Sequence, residues 1–304
     1  MSIYVENLTK SYNEELAVDN ISFAISPGEI IGFLGPNGAG KSTTMKILTG
    51  YLAPDQGEVS LGNLSVVDHP QETRKMIGYL PEHNPLYPGM YIQEFLNFVC
   101  HIHGIKGKEK NNRIKEVIQL TGLDREQHKK IKQLSKGYRQ RVGLAQAIIH
   151  DPSVLILDEP TTGLDPNQLI EIRKLILKLG KEKTVIFSSH LLSEVEAVAQ
   201  RVLILHKGKL QADETLEHLH SQNHREHIFH LELNKEGFDP TSLSQHPNVI
   251  SIEPIDSRRW EIRVRDAVEV REELFQACVD QGFVIFGLEQ QSLSLEYIFA
   301  QLTQ

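Results

Sequence analysis

Along residues 1–220, short apolar runs alternate with longer stretches of helical period. Ile3–Leu8 and Ile21–Ile25 alternate apolar and polar positions, as a strand with one buried face does. Pro27-Gly28 makes a turn, and Glu29–Leu34 reads as a strand buried on both faces. A glycine-rich segment follows, then a helix over Lys41–Leu48. Gly57–Leu61 and Ile77–Leu80 are further short strands. From Ile92 to Gly122 the period turns helical, with Phe95, Phe98, Val99 and Ile102 and then Ile114, Val117 and Ile118 on one face. Gly104–Asn111 reads as an interrupting loop. Val154–Leu157, Thr184–Ser188 and Val202–His206 are strands, while Leu169–Leu179 and Leu191–Ala199 are amphipathic helices. Strand and helix in alternation predict an α/β domain.

The composition changes near residue 220, where His218–His230 is polar and histidine-rich. After it the pattern predicts strand 227–234, helix 240–246, strands 249–255 and 258–265, helix 268–281, strand 283–290 and helix 294–303. The order βαββαβ fits a small α+β domain of split-βαβ, ferredoxin-like type. The expected organisation is a first domain at 1–220, with a helical subdomain at about 90–150, and a second at 221–304. His218, His220, His224, His227 and His230 have two readings. The spacing of His220, His224 and His227 would align three imidazoles on one helix face, as a metal site requires. The reading adopted is a solvated linker. Trp260, Phe283, Phe286 and Phe299 read as core of the second domain.

The 304 residues are 40% apolar and 24% charged, as in ordinary globular proteins, and the net charge of −8 argues against a nucleic-acid partner. No run reaches the ~18 apolar residues of a spanning helix. The start, MSIYVENLTK, lacks a signal-peptide pattern. Cys100 and Cys278 are far apart, without metal spacing, and read as reduced structural thiols of a cytoplasmic protein. Charge is uneven: residues 104–141 carry 12 Lys/Arg against 4 Asp/Glu. That stretch is either a solvated helical face, the reading adopted, or a surface turned to a membrane or partner.

Candidate chemistry begins at Gly35-Pro36-Asn37-Gly38-Ala39-Gly40-Lys41-Ser42-Thr43, a full G-x-x-x-x-G-K-[ST] between a predicted strand and a predicted helix. A phosphate chain needs close approach of backbone N–H groups, which glycines permit, and the helix N-terminus adds its positive end. Lys41 would reach the β- and γ-phosphates, and the Ser42 hydroxyl would hold Mg²⁺. Val154-Leu-Ile-Leu-Asp158-Glu159-Pro160 is an apolar strand with two acids at its tip, where open α/β sheets bind ligands. Asp158 is placed on Mg²⁺ and Glu159 on the attacking water.

Further residues carry a resemblance to one family of P-loop NTPases. Leu134-Ser135-Lys136-Gly137-Tyr138-Arg139-Gln140-Arg141, 23 residues before Asp158, is similar to the signature of ABC ATP-binding subunits. Gly163-Leu164-Asp165 resembles their D-loop, His190 their switch histidine, and Tyr12 the aromatic that stacks on adenine. The resemblance covers about residues 1–215. The small C-terminal domain and the ending Ser294–Thr303 look most like exporter subunits of the gliding-motility and type-2 group. It implies an ATPase subunit of a transporter, on the inner face of the cell membrane under a separate integral membrane permease. It also implies a head-to-tail homodimer, in which each ATP lies between one phosphate loop and the partner's Ser135 and Gly137. His190 would then bond the γ-phosphate.

This chain departs from the pattern at Lys136 and Tyr138, where Gly and Gln are commonest, and at Glu82, where Gln is usual. Glu82 stays a candidate Mg²⁺ or water ligand that adds negative charge. The segment His83–Met90 would either receive a short helix of the membrane subunit or pack on the helical subdomain. Two alternatives from other classes are a non-transport ABC ATPase acting on ribosomes or nucleic acid, and a regulatory ATP-binding module. One cassette with an acidic tail counts against the first. The presence of Lys41, Asp158, Glu159 and His190 counts against the second.

Overall fold

Backbone pairing gathers the apolar runs of the first 215 residues into two sheets. The computed structural model describes residues 1–13, 15–223, 227–244, 246–265, 267–292 and 299. It divides into two compact units, Met1–Thr215 and the chain from Leu216 onward.

In the first unit the chain runs β1 (Ile3–Tyr12), β2 (Glu15–Ile25), β3 (Ile30–Leu34), α1 (Lys41–Leu48), β4 (Gln56–Leu61), β5 (Leu64–Ser65), α2 (Pro70–Met76) and β6 (Ile77–Leu80). Three helices follow, α3 (Ile92–Ile102), α4 (Gly107–Leu120) and α5 (Lys136–Ile148). Then come β7 (Val154–Leu157), α6 (Pro166–Gly180), β8 (Thr184–Ser189), α7 (Leu192–Glu196), β9 (Arg201–His206) and β10 (Lys209–Thr215). One sheet has the order β10-β9-β3-β8-β7-β6, parallel except at the β10 edge. The other is antiparallel, β2-β1-β4-β5. The main core lies where β1, β2 and β4 pack with β3 and α1, and includes Ile3, Leu8, Ile31, Phe33 and Met45. Phe23 meets Phe33 edge-on there, with centroids 5.8 Å apart.

The strands of the parallel sheet are buried on both sides, so they read as unbroken apolar runs. Their C-terminal ends meet on one edge of the sheet. The Gly35–Gly40 loop leaves β3 there, Asp158 and Glu159 follow β7, and His190 follows β8.

One expectation changes. The break between α3 and α4 spans only residues 103–106, because α4 begins at Gly107 rather than after Asn111. Its first turns, Lys108–Asn112, are polar on every face, so no apolar period marks them until Ile114 is buried. The expected loop at His83–Met90 does pack on the helices. Tyr87 lies 6.0 Å from Phe95 and 5.6 Å from Phe98, while half of it stays exposed.

The second unit runs α8 (Leu216–Asn223), β11 (His227–Leu233), α9 (Thr241–Ser244), β12 (Val249–Pro254), β13 (Arg259–Val264), α10 (Ala267–Asp280) and β14 (Ile285–Ser292). Its sheet is antiparallel, order β12-β13-β11-β14, the arrangement of a split βαβ fold. Phe229, Leu231, Ile262, Val270 and Leu274 fill its core. The histidine-rich stretch is part helix and part strand. Helix α8 ends at Asn223 and His227 opens β11, so no single helix face carries His220, His224 and His227. His224 lies outside the described residues, as does helix 294–303 apart from residue 299. His227 and His230 meet Gln290 and Glu261 instead. Among the described residues no group of three or more His, Cys, Asp or Glu is placed to hold a metal, and no helix is long and apolar enough to cross a membrane. Cys100 and Cys278 are buried, unpaired thiols, and burial pushes Cys278 up to about 11.

The single tryptophan, Trp260, packs on Phe238 at 5.6 Å inside the second unit, so its fluorescence reports on that unit alone. Phe229→Ala should destabilise the unit by about 3–5 kcal/mol. The expected result is an earlier Trp260 transition in urea; an unmoved midpoint would contradict the assigned core.

Candidate functional site

The phosphate-type loop is shaped by its glycines. Gly40 has φ 104°, and a Cβ there would run into the Ala17 carbonyl. Gly40 is also the residue before α1, and it has no side chain with which to cap the helix. The first-turn N–H groups of Lys41, Ser42 and Thr43 therefore have no intrahelical acceptor, which makes this end an anion site. Lys41 is 7% exposed. Its ammonium donates to Gly35 O at 2.6 Å and Pro36 O at 3.1 Å. Burial pulls its pKa down, and Glu159, Asp158 and Glu82 push it back up.

A cavity of about 580 Å³ opens over this loop. Asn37 to Thr43 form one wall, Glu82, Glu159, Thr162 and His190 another, and Tyr12 and Ala17 its rim. Tyr12 is 47% exposed. Gly35 and Pro36 reach the site through their carbonyls on Lys41.

The acids are tied to neighbouring strands. Asp158 is 2% exposed, and its Oδ1 accepts from Ser188 Oγ at 2.7 Å. The same Ser188 Oγ accepts from the Glu159 amide at 2.8 Å. Glu159 sits at φ 50°, an uncommon conformation for a side-chain-bearing residue. Its Oε2 accepts from Thr162 Oγ1 at 2.9 Å and lies 2.8 Å from His190 Nδ1. Behind this loop, buried Glu194 accepts from Thr161 Oγ1 and, at 3.1 Å, from Ser189 Oγ. Ser188, Thr162 and Glu194 were not among the sequence candidates. Ser188 and Ser189 directly precede His190, and two hydroxyls at a strand tip beside an acid pair were the available signal.

Ser135 and Gly137 lie elsewhere on the chain, at the start of α5, and do not line the cavity. Ser135 caps that helix, its Oγ accepting from the Tyr138 amide at 3.4 Å. Gly137 is buried against the Gln168 side chain.

A second cavity, about 640 Å³, shares Ser42 and Glu82 with the first and also reaches Asp158. It runs back between α1, β6 and the ends of α3 and α5. Buried Tyr79 Oη, Gln146 Oε1 and His150 Nδ1 border it without a hydrogen-bond partner among the described residues. His150 stacks flat on His103, with centroids 3.9 Å apart, and its Nε2 meets Ile77 O at 3.0 Å. Burial, with His103 second, pushes the His150 pKa down to about 4.

A family model described as ABC transporter matches residues 18–162. The bacitracin transport ATP-binding protein BcrA of Bacillus licheniformis is 34% identical over 99% of this chain and 96% of its own length. The chain belongs to the ABC transporter ATP-binding subunits. The linearmycin resistance ATP-binding protein LnrL of Bacillus subtilis is 30% identical over 99% and 98%. Among solved structures, a dimeric post-hydrolysis state of the ATP-binding cassette MJ0796 bound to ADP and Pi superposes with a TM-score of 0.66. That pair is 28% identical and covers 70% of this chain and 98% of that one. As a member of this family the chain is an ATPase that binds ATP with Mg²⁺.

The donor set suits Mg²⁺. This ion keeps several waters and takes one or two protein oxygens plus phosphates, so it needs no all-protein cage. Ser42, Asp158 and Glu82 border one space beside the loop, with oxygen donors only. Ser188→Ala would leave the Glu159 amide and one Asp158 oxygen without their partner, at about 1–3 kcal/mol. Mg-ATP turnover should then fall roughly 10- to 100-fold with the far-UV circular dichroism unchanged. Wild-type turnover would mean that Ser188 does not hold the acid pair.

Proposed function

We propose that this chain works as a head-to-tail homodimer, binding and hydrolysing ATP at two shared sites to drive a separate integral membrane permease. The convergence of Lys41, Ser42, Asp158, Glu159 and His190 at one end of the parallel sheet is the observation that carries the reading. In each site Gly35 to Thr43 hold the phosphates through backbone N–H groups, and Lys41 turns from its loop carbonyls toward the β- and γ-phosphates. Tyr12, exposed at the rim, stacks on the adenine. Ser42 and Asp158, with Glu82 beside them, would hold Mg²⁺, which would supply charge neutralisation at the phosphates. Glu159 accepts a proton from the attacking water. His190, 2.8 Å from that carboxylate, orients it and bonds the γ-phosphate.

Ser135 and Gly137 do not line the cavity of their own chain, so a second copy is what brings them to the phosphate. Closure then depends on ATP, because ATP supplies the shared contact. The dimeric MJ0796 cassette supports this reading by its fold likeness.

The permease contact in this reading involves the His83–Met90 segment, whose Tyr87 is half exposed. The relatives named for bacitracin transport and linearmycin resistance support export as the direction of transport.

Glu159→Gln tests the cycle. The variant should bind ATP as the wild type does, lose turnover by at least about 100-fold, and form an ATP-dependent dimer. Light scattering and phosphate release read both. Normal hydrolysis by this variant would remove Glu159 from the role of base.

A further inference from the structure

Lys136 occupies a place that helix electrostatics disfavours. It is the first residue of α5, where the positive end of the helix opposes a cation, and the first turn holds no acid. Among the described residues no carboxylate pairs with it. Its side chain instead lies across Gly163: Nζ comes nearest to where a Cβ at that glycine would stand, with Cε 2.8 Å and Cδ 3.0 Å from the same point. Gly163 has φ 72° and bears no side chain, which is what leaves room for the lysine stem. The next residue of α5, Gly137, is packed by Gln168 of α6, two residues past Pro166. Asp165 holds that end of α6 by accepting from the Gln168 amide at 2.9 Å. The signature turn therefore grips the Gly163–Gln168 segment at two points. Immediately before Gly163, Thr162 donates to the Glu159 carboxylate. A run of contacts thus joins Lys136 to Gly163, Thr162 and Glu159 within one chain.

We propose that Lys136 is a positioning residue that ties the signature turn to the loop carrying Glu159, and so couples the two ATP sites of the dimer. The inference rests on the head-to-tail reading above. In that dimer the signature of one subunit faces the partner's ATP, while Glu159 of the same subunit serves its own. Seating a phosphate on Ser135 and Gly137 fixes the α5 end, and the Lys136 stem passes that position to Gly163 and onward to Glu159. ATP at one site then sets the geometry of the base at the other.

The experiment uses the full chain and measures phosphate release against ATP concentration for wild type, Lys136→Ala and Lys136→Met. The wild type should show a Hill coefficient above 1. Lys136→Ala should bring it to 1 and lower kcat roughly 3- to 10-fold, with half-saturation moving less than about 2-fold. Lys136→Met keeps the stem that touches Gly163 and should retain the wild-type Hill coefficient. A wild-type coefficient of 1, or an unchanged coefficient and kcat in Lys136→Ala, would overturn the proposal. So would an equal loss in Lys136→Met, which would assign the role to the ammonium rather than the stem. Each variant is also made with Glu159→Gln and weighed with ATP. Dimers in all three keep the effect within the coupling, whereas loss of the dimer only with Lys136→Ala would make Lys136 an interface contact and overturn the proposal. Failure of Glu159→Gln alone to dimerise would instead sink the head-to-tail reading, and the coupling with it.

Discussion

Two carboxylates buried side by side at the end of β7 are the constraint around which the first unit is organised. Asp158 and Glu159 are both nine-tenths or more buried, and burial of such groups is costly unless each is bonded. The neighbouring strand meets that need. Ser188, on β8, bonds the Asp158 carboxylate and the Glu159 amide with one hydroxyl. Thr162 and His190 take up the Glu159 carboxylate, and the Lys41 ammonium balances part of the charge across the cavity. Each partner sits at a strand end, on the loop that leaves it or, for Lys41, at the start of the helix that follows, so the parallel register of β3, β8 and β7 is what aligns them.

The phosphate loop answers the same electrostatic problem from the other side. An acid pair repels a polyphosphate, and a site that holds both must supply positive potential without bulk. Backbone N–H groups at the start of α1 do this, and Gly40 keeps them uncapped. Glu82 sharpens the problem by adding a third carboxylate at the boundary of the two cavities. A divalent cation bound with the nucleotide would offset this negative charge.

Much of the chemistry was legible in the chain. The loop Gly35–Thr43 is contiguous, so spacing alone exposes it. Asp158 and Glu159 stand out because a double-sided strand has no polar residue until its tip. Ile77–Leu80, Val154–Leu157 and Lys41–Leu48 have the same limits in sequence and structure, since each is bounded by abrupt polarity or by glycine. Helix α4 was read late because its first turns are polar all round, and α8 was missed as a linker because, among its described side chains, Leu216 and Leu219 are the buried ones. The split-βαβ order was readable from period, and pairing then set β11 between β13 and β14.

What the sequence determined by itself were local properties: phosphate chemistry, the acid pair, the signature and the membership they imply. Contacts between distant segments were decided only by the tertiary structure. Ser188 is 30 residues from Asp158, and no local pattern says that one hydroxyl serves both acids. The stacking of His103 on His150, the unpaired atoms of the second cavity and the Lys136 stem on Gly163 arise in the same way. Side-chain identity fixes what a residue can bond, but which partner lies within reach depends on strand register and helix packing, and those are set by the burial of the whole core.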